Sequence, residues 1–333
     1  MKRLVRGLFL IFSSCFLLLG CQDRSQYVNY MGTVLGKPCK IVYKTPDEAI
    51  FSFEISVRRT LDRAFVTIDN SISARNSKSI LCNLNANKSR AVDSIFTFVF
   101  NTAEHVSTLT GGALDVTIEP LYKLWGSQLE NRITVTERQV EEALRFTGMD
   151  KAWIVDYELF KADPNIQINM NALAGGCCAD YAADVLRQLG VKDFMVDVNG
   201  DVVCQGVNPN GAPWRFGIIK SHDIIYLENK ALSTSGSFLN FNIKDRELNT
   251  CVFDPYTGYP VTHNLLSVTV IAERCIIADA FSTAFMVMGL ERSIAYIKEH
   301  PELAAIFTFD DNGVLGTYAT ENIAQQHEIQ YIP

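Results

Sequence analysis

"INMNALAGGCCADYAADVLRQLGVKDFMVDVNGD", residues 168–201, decides the reading of the fold. From Ala179 to Leu189 apolar residues recur at helical spacing, and Gly190 follows as a stop. "DFMVDV" then reads as a strand and "NGD" as a turn. Gly175 and Gly176 are read as lying just before the helix start. Free backbone N–H groups there would favour an anion such as phosphate, and a tight entry turn would use the same two glycines. Cys177 and Cys178 invite a redox or metal reading, but adjacent cysteines point to different faces of a helix and no C-x-x-C occurs. Both read as packing residues.

The same alternation of helix and strand continues on either side. "ISVRRTLDRAF" puts Val57, Leu61 and Phe65 on one face of a helix that ends near the Ser/Asn-rich "IDNSISARNSKS", read as a loop. "SIFTFVFNTAEHVSTLTGG" is a second helix stopped by Gly111 and Gly112. "TERQVEEALRFTG" opens with Thr136 and Gln139 at capping-box spacing. "LLSVTVIA" is a strand, "IIADAFSTAFMVMG" a helix, and "AAIFTFDDNGVLGTYA" a hairpin whose "DDNG" lacks the later ligands of a calcium loop. Interleaved helices and strands predict a mixed α/β (α+β) protein, with mixed sheets flanked by helices.

The chain has 333 residues, 48% of them hydrophobic, enough for a sizeable core. Net charge is −7 with no long basic run, which argues against nucleic acid as a partner. Lys2, Arg3 and Arg6 precede an apolar run from Leu8 to Leu19, too short for a typical spanning helix, and then come Gly20 and Cys21. "LLLGC" resembles a bacterial lipobox. The expected organisation is a lipoprotein signal peptide over 1–20, a membrane tether over 21–29 with lipid on Cys21, and one domain over 30–333. The mature protein is expected in the bacterial cell envelope, anchored to a membrane and facing the periplasm. Seven cysteines remain beyond Cys21, an odd number, and the five histidines have no zinc-ligand spacing.

"ADAFSTAF" sets Asp279 and Thr283 four residues apart, on one face of a helix, where hard oxygens suit magnesium. A solvated or capped helix face would use the same pair. "DPYTGYP" is a Pro/Gly turn, and "STSGS" a small-residue loop suited to close ligand approach.

The order of these segments resembles the ApbE family of periplasmic FAD:protein FMN transferases, from about Tyr30 to Tyr296. The segments are "YMGTVLGKPCKIVY", "DNSISARNSKSILCNLN", "TGGALDVTIEPLYKLWG", the stretch quoted first, "STSGSFLNF", "FDPYTGYPV" and "ADAFSTAF". The resemblance implies a ligand site between two lobes, FAD as substrate and Mg²⁺ as cofactor. It implies flavin contacts at Met31, Ala113, Leu114, Asp115, Asn169, Gly175 and Phe253. Metal ligands would be Asp279, Thr283 and the carbonyl of Ala172. The implied reaction moves FMN to a threonine or serine of an exported flavoprotein, for example a membrane redox-complex subunit, and releases AMP. Its rivals are an FAD-binding or FAD-hydrolysing lipoprotein and a non-catalytic flavin carrier. Departures are also present. Gly175 stands where the family usually has lysine, Asn169 where aspartate is common, and Arg75 in place of a tyrosine, which would restore positive charge. Cys251 replaces the histidine that usually serves as base, and Asp254 is the neighbouring carboxylate that could handle the proton.

Replacing Cys21 by serine is expected to release the protein from membranes or block its maturation, read by fractionation and N-terminal mass. Unchanged fractionation and processing would remove the lipid anchor from the account.

Overall fold

The computed structural model describes residues 26–46, 50–131, 134–218, 224–236 and 252–324. The signal and tether up to residue 25 and Cys251 lie outside these. The central sheet has eight strands, numbered here among themselves: β1 (Tyr27–Val34), β2 (Lys37–Lys44), β3 (Phe194–Val198), β4 (Asp201–Gln205), β5 (Ala231–Gly236), β6 (Leu265–Ala272), β7 (Ala304–Asp311) and β8 (Val314–Ala319). They lie in chain order, each antiparallel to the next. Every excursion therefore leaves one strand and returns beside it.

Side-chain alternation splits the strands between two apolar layers. Ile41 and Val203 enter the larger core, while their neighbours Val42, Val202 and Cys204 enter a smaller one on the other face. The smaller core is covered by the hairpin of Trp214–Gly217 with Ile224–Leu227. The larger core lies under the helices α1 (Ile50–Ile72), α2 (Ile80–Asn85), α3 (Ser94–Leu109), α6 (Asn171–Gln188), α7 (Cys275–Met288) and α8 (Leu290–Lys298), while α4 (Glu119–Asn131) and α5 (Glu137–Leu144) pack against each other. A 3-10 turn and a small hairpin of Ala152–Val155 with Glu158–Lys161 fill out the long excursion between β2 and β3.

Two boundaries differ from the sequence reading. Helix α1 runs on through Ile68 and Ile72, because both continue its buried stripe with Val57, Leu61 and Phe65. Ser71 between them is buried too and donates to Asp93 at 2.7 Å. Helix α6 begins at Asn171, so Gly175 and Gly176 lie inside it and not ahead of it. Neither lies among the free N–H groups ahead of the helix, which withdraws the helix-start anion site read for them. Packing explains the glycines instead. A Cβ on Gly176 would stand 2.5 Å from the carbonyl oxygen of Cys275 and 2.7 Å from the Cα of Ile276, so α6 touches α7 backbone to backbone.

Asp180 fastens the same crossing. Its two carboxylate oxygens each accept an N–H from the first turn of α7, Cys275 and Ile276, both at 3.0 Å. Arg274 Nε closes on Asp180 Oδ2 at 3.2 Å. One helix thus caps another. The six cysteines within the described residues are free. Burial pushes the Cys177 thiol up to about 12 and Cys178 well above the usual thiol range, so both are inert packing groups at neutral pH.

Gly176→Ala is expected to cost about 1–3 kcal/mol, because the methyl meets backbone that cannot turn away. Gly126→Ala, in α4 with no atom near its missing Cβ, should gain up to about 1 kcal/mol. Denaturant melts of both variants check the contrast, and destabilisation of neither would dissolve the close-approach account.

Candidate functional site

The α6–α7 contact delivers Asp279 to the interior. It lies in the second turn of α7, 6% exposed, and its Oδ2 accepts the N–H of Gly176 at 2.9 Å. In a helix that N–H faces the carbonyl of residue 172, so Asp279 sits against the turn that carries Ala172. Asp279 does not cap its helix, since Asp180 holds that end. One turn further, the Thr283 hydroxyl lies 3.2 Å from Ser235 Oγ, which is also 2.8 Å from Ser282 Oγ. The pair expected on one helical face does share it, and it abuts the "STSG" strand β5.

A second carboxylate joins the first. Asp201 opens β4, receives the Ser233 hydroxyl at 2.6 Å, and fills the space that a side chain at Gly175 would need. Burial, opposed by the Ser233 bond and the Lys37 charge, raises the Asp201 carboxyl to about 6. Burial and then the charge of Asp201 raise Asp279 well above the carboxylate range, against the Gly176 N–H and Lys37. Two buried acids stand close enough that the charge of one raises the other, and Lys37 only partly offsets their burial. Their surroundings are hydroxyls and a backbone carbonyl, hard oxygens that suit magnesium and its retained waters. No cluster of three or more His, Cys, Asp or Glu forms a metal site among the described residues. The donor set fits a divalent ion that completes its shell from its substrate.

Residues 113–117 and the start of α6 continue from this corner. The N–H of Asn169 donates to the Val116 carbonyl at 2.7 Å, which lays residues 113–117 beside the start of α6. Asn169 Oδ1 accepts the N–H of Asn171 at 2.9 Å and its Nδ2 donates to Glu119 at 2.7 Å, so the side chain orders the helix entry. Ala113 and Leu114 are buried. Asp115 is buried too, its Oδ1 taking both the N–H and the hydroxyl of Thr117 at 2.7 and 2.6 Å. Burial raises its carboxyl, and the Thr117 bonds oppose the rise. Phe253 is buried edge-on to Tyr122 at 5.0 Å and stacked with Trp125 at 6.4 Å. Trp125 Nε1 donates to the Gly258 carbonyl, and the Tyr256 hydroxyl to the Gly111 carbonyl. These bonds tie the "DPYTG" turn to α4 and to Gly111. Asp254 holds that turn by accepting the N–H of Tyr256 at 2.8 Å.

Met31 stands apart, 64% exposed on the edge strand β1. From the same hairpin it is Lys37 whose charge reaches Asp201 and Asp279. Sequence reading missed Lys37, Asp201, Ser233 and Asp180. Asp201 left one signal, an acid at the head of the otherwise apolar "VVC" just after an Asn-Gly turn.

A model of the ApbE family matches residues 35–307. The FAD:protein FMN transferase of Vibrio cholerae is 30% identical over 321 residues, covering 92% of this chain and 95% of that protein. The protein of the same description from Haemophilus influenzae is 26% identical over 331 residues, covering 94% and 95%. Among solved structures, the flavin transferase ApbE from Vibrio cholerae superposes with a TM-score of 0.82 at 27% identity, over 90% of this chain and 99% of that one. The apo flavinyl transferase ApbE of Pseudomonas stutzeri gives 0.81 at 26%, over 90% and 96%. The mixed α/β architecture read from the sequence is the fold of these proteins.

The raised Asp201 carboxyl has a consequence for the metal-free protein. A folded pKa near 6 lies above the unfolded value near 4, so the folded state binds the proton more tightly and stability falls as pH rises from about 4 through 6. Asp201→Asn, which cannot ionise, should leave Tm nearly unchanged at pH 4 and raise it by roughly 2–5 °C at pH 7 in chelator. A Tm difference that does not grow with pH would refute the buried-charge picture.

Proposed function

The chain belongs to the ApbE family, and from that premise we propose that it is an FAD:protein FMN transferase dependent on Mg²⁺. The reading rests above all on the junction of α6 and α7, where the buried Asp279 carboxylate, the Thr283 hydroxyl and the turn carrying Ala172 lie together. FAD is the substrate, the FMN half passes to a threonine or serine hydroxyl of an exported flavoprotein, and AMP leaves. The protein works from a lipid anchor on Cys21 in the cell envelope, facing the periplasm.

Asp279, Thr283 and the Ala172 carbonyl hold the metal. Magnesium bound there supplies positive charge that steadies the phosphate oxygens as the pyrophosphate divides. Residues 113–115, Asn169 and Phe253 set the flavin half in place, with Gly175 on the adjoining turn of α6. Met31 contacts the flavin from the hairpin. The acceptor hydroxyl oxygen then bonds to the FMN phosphorus, and the bond from that phosphorus to the bridging oxygen breaks. The bridging oxygen leaves on AMP. The hydroxyl proton goes to Asp254, three residues along the chain from Cys251, which stands where the family usually has its histidine base. Fixed geometry and electrostatics supply much of the acceleration without a histidine base.

Incubation with FAD, Mg²⁺ and a genuine acceptor is expected to give a slow covalent FMN adduct, seen by mass. The rate should rise at alkaline pH and increase on Cys251→His, general-base help being worth about 10²–10⁴. Asp279→Ala and Thr283→Val should fold and lose Mg²⁺-dependent turnover. Free FMN and AMP without an adduct would make the protein an FAD hydrolase. Intact FAD with either residue at 251 would make it a flavin carrier.

A further inference from the structure

We infer that the outer face of α1 lies on an anionic phospholipid surface and holds the site close to the membrane; the inference rests on the lipid anchor proposed at Cys21. Opposite its buried stripe, α1 shows a second stripe to solvent. Phe51, Ile55, Arg59, Asp62 and Val66 follow one another at steps of four, four, three and four, which sets them on one face. Phe51, Ile55 and Val66 are 77%, 44% and 60% exposed. Arg58 and Arg63 flank this line and are exposed, as is Arg59. Apolar side chains framed by arginines suit a helix lying in a membrane interface. The apolar groups enter the acyl boundary and the guanidinium heads meet lipid phosphates.

The entry point of the tether says what covers this face. The N–H of Gln26 donates to the Thr45 hydroxyl at 3.1 Å, and the N–H of Thr45 to the Gln26 carbonyl at 2.7 Å. The chain from Cys21 therefore arrives at the open end of the β1–β2 hairpin. Tyr43, paired with Val28 near that end, sets its ring 6.4 Å from that of Phe53. Further along β1, Tyr30 donates to Asp62 at 2.7 Å and lies 6.1 Å from the Phe65 ring. Helix α1 thus runs along the hairpin from the tether end, with Phe51 foremost. Cys21 to Gln26 is five residue steps, at most about 18 Å of extended chain. Acyl chains on Cys21 would bring lipid within reach of Phe51 and Ile55.

Charge is matched as well. Three arginines against Glu54 and Asp62 make the face net positive on a chain of net charge −7, and Asp62 already takes the Tyr30 hydroxyl. At the far end of the hairpin, Arg75 packs on Gly36 and the charge of Lys37 reaches Asp201 and Asp279. An eight-residue strand puts that turn roughly 25 Å from the tether. With α1 flat on the lipid, the site stays beside the surface instead of swinging on its tether, a disposition that suits an acceptor held at a membrane.

Tryptophan fluorescence of the lipidated protein on vesicles of phosphatidylethanolamine and phosphatidylglycerol tests this, with brominated acyl chains as quencher and melting curves as the folding control. The probes are Phe51→Trp and, on the distant edge strand β8, Val314→Trp. The emission that Phe51→Trp adds to wild type should be quenched at least about twofold, and that of Val314→Trp should not. High salt, or Arg59→Gln with Arg63→Gln, should relieve the quenching, and vesicles of phosphatidylcholine alone should support little of it. Arg58, which rests on the Tyr30 ring at 5.0 Å, is left in place. A protein that fractionates with the vesicles yet leaves position 51 unquenched, quenches 51 and 314 alike, or quenches equally on phosphatidylcholine would overturn the docked face alone. Emission at 51 that answers only to an added flavoprotein acceptor would also overturn it and give the face to a protein partner. A protein that does not fractionate with the vesicles would overturn the anchor and the docked face together and leave the transferase reading standing.

Discussion

Helix α6 can lie against α7 only because residue 176 has no side chain, and the site is built on that contact. With the Gly176 backbone pressed onto Cys275 and Ile276, its N–H reaches the Asp279 carboxylate in the interior. The contact needs slender neighbours as well. Ala174, Ala179, Ala182 and Ala183 are all buried along α6, which lets one helix pack against α1, α7 and the sheet together. Asp180 fixes the position along this crossing by binding the free end of α7. A residue that looks like part of a cysteine-rich functional motif is therefore a fastener between helices.

Charge is arranged against the usual preferences of a core. Asp201 and Asp279 are nearly or wholly removed from water and repel each other, an arrangement that folding alone would not favour. The close-packed helices impose it. Lys37 softens the repulsion from the hairpin without an ion pair to either carboxylate among the described residues.

Much of this was legible in the sequence because it rests on local period and spacing. The helical stripes of α1 and α3, the alternation in β3 and β6 and the Asn-Gly turn before β8 each follow from a few neighbouring residues. Asp279 and Thr283 were legible for the same reason, four residues apart on one helix. The start of α6 was not. Gly175 and Gly176 look like a helix stop or entry to any local reading, and only contact with α7, about a hundred residues away, keeps them helical. Asp201 and Lys37 share this obscurity. Each is an ordinary charged residue beside a turn until the sheet sets β2 and β4 on either side of β3 and brings both to one glycine.

The sheet that looks so simple in its finished order is assembled late. Strand β2 ends at Lys44 and its partner β3 begins at Phe194, with most of the helical layer between them. At a synthesis rate of about 5–20 residues per second, the first hairpin waits roughly 7–30 s for that partner to exist. During the wait β2 is an open edge, of the kind that recruits other chains. Lys37, Lys40 and Lys44 are spaced along it, and repulsion between like-charged edges would discourage pairing between nascent copies. The lysine that faces the site in the finished protein thus belongs to a row that keeps the unfinished one solitary.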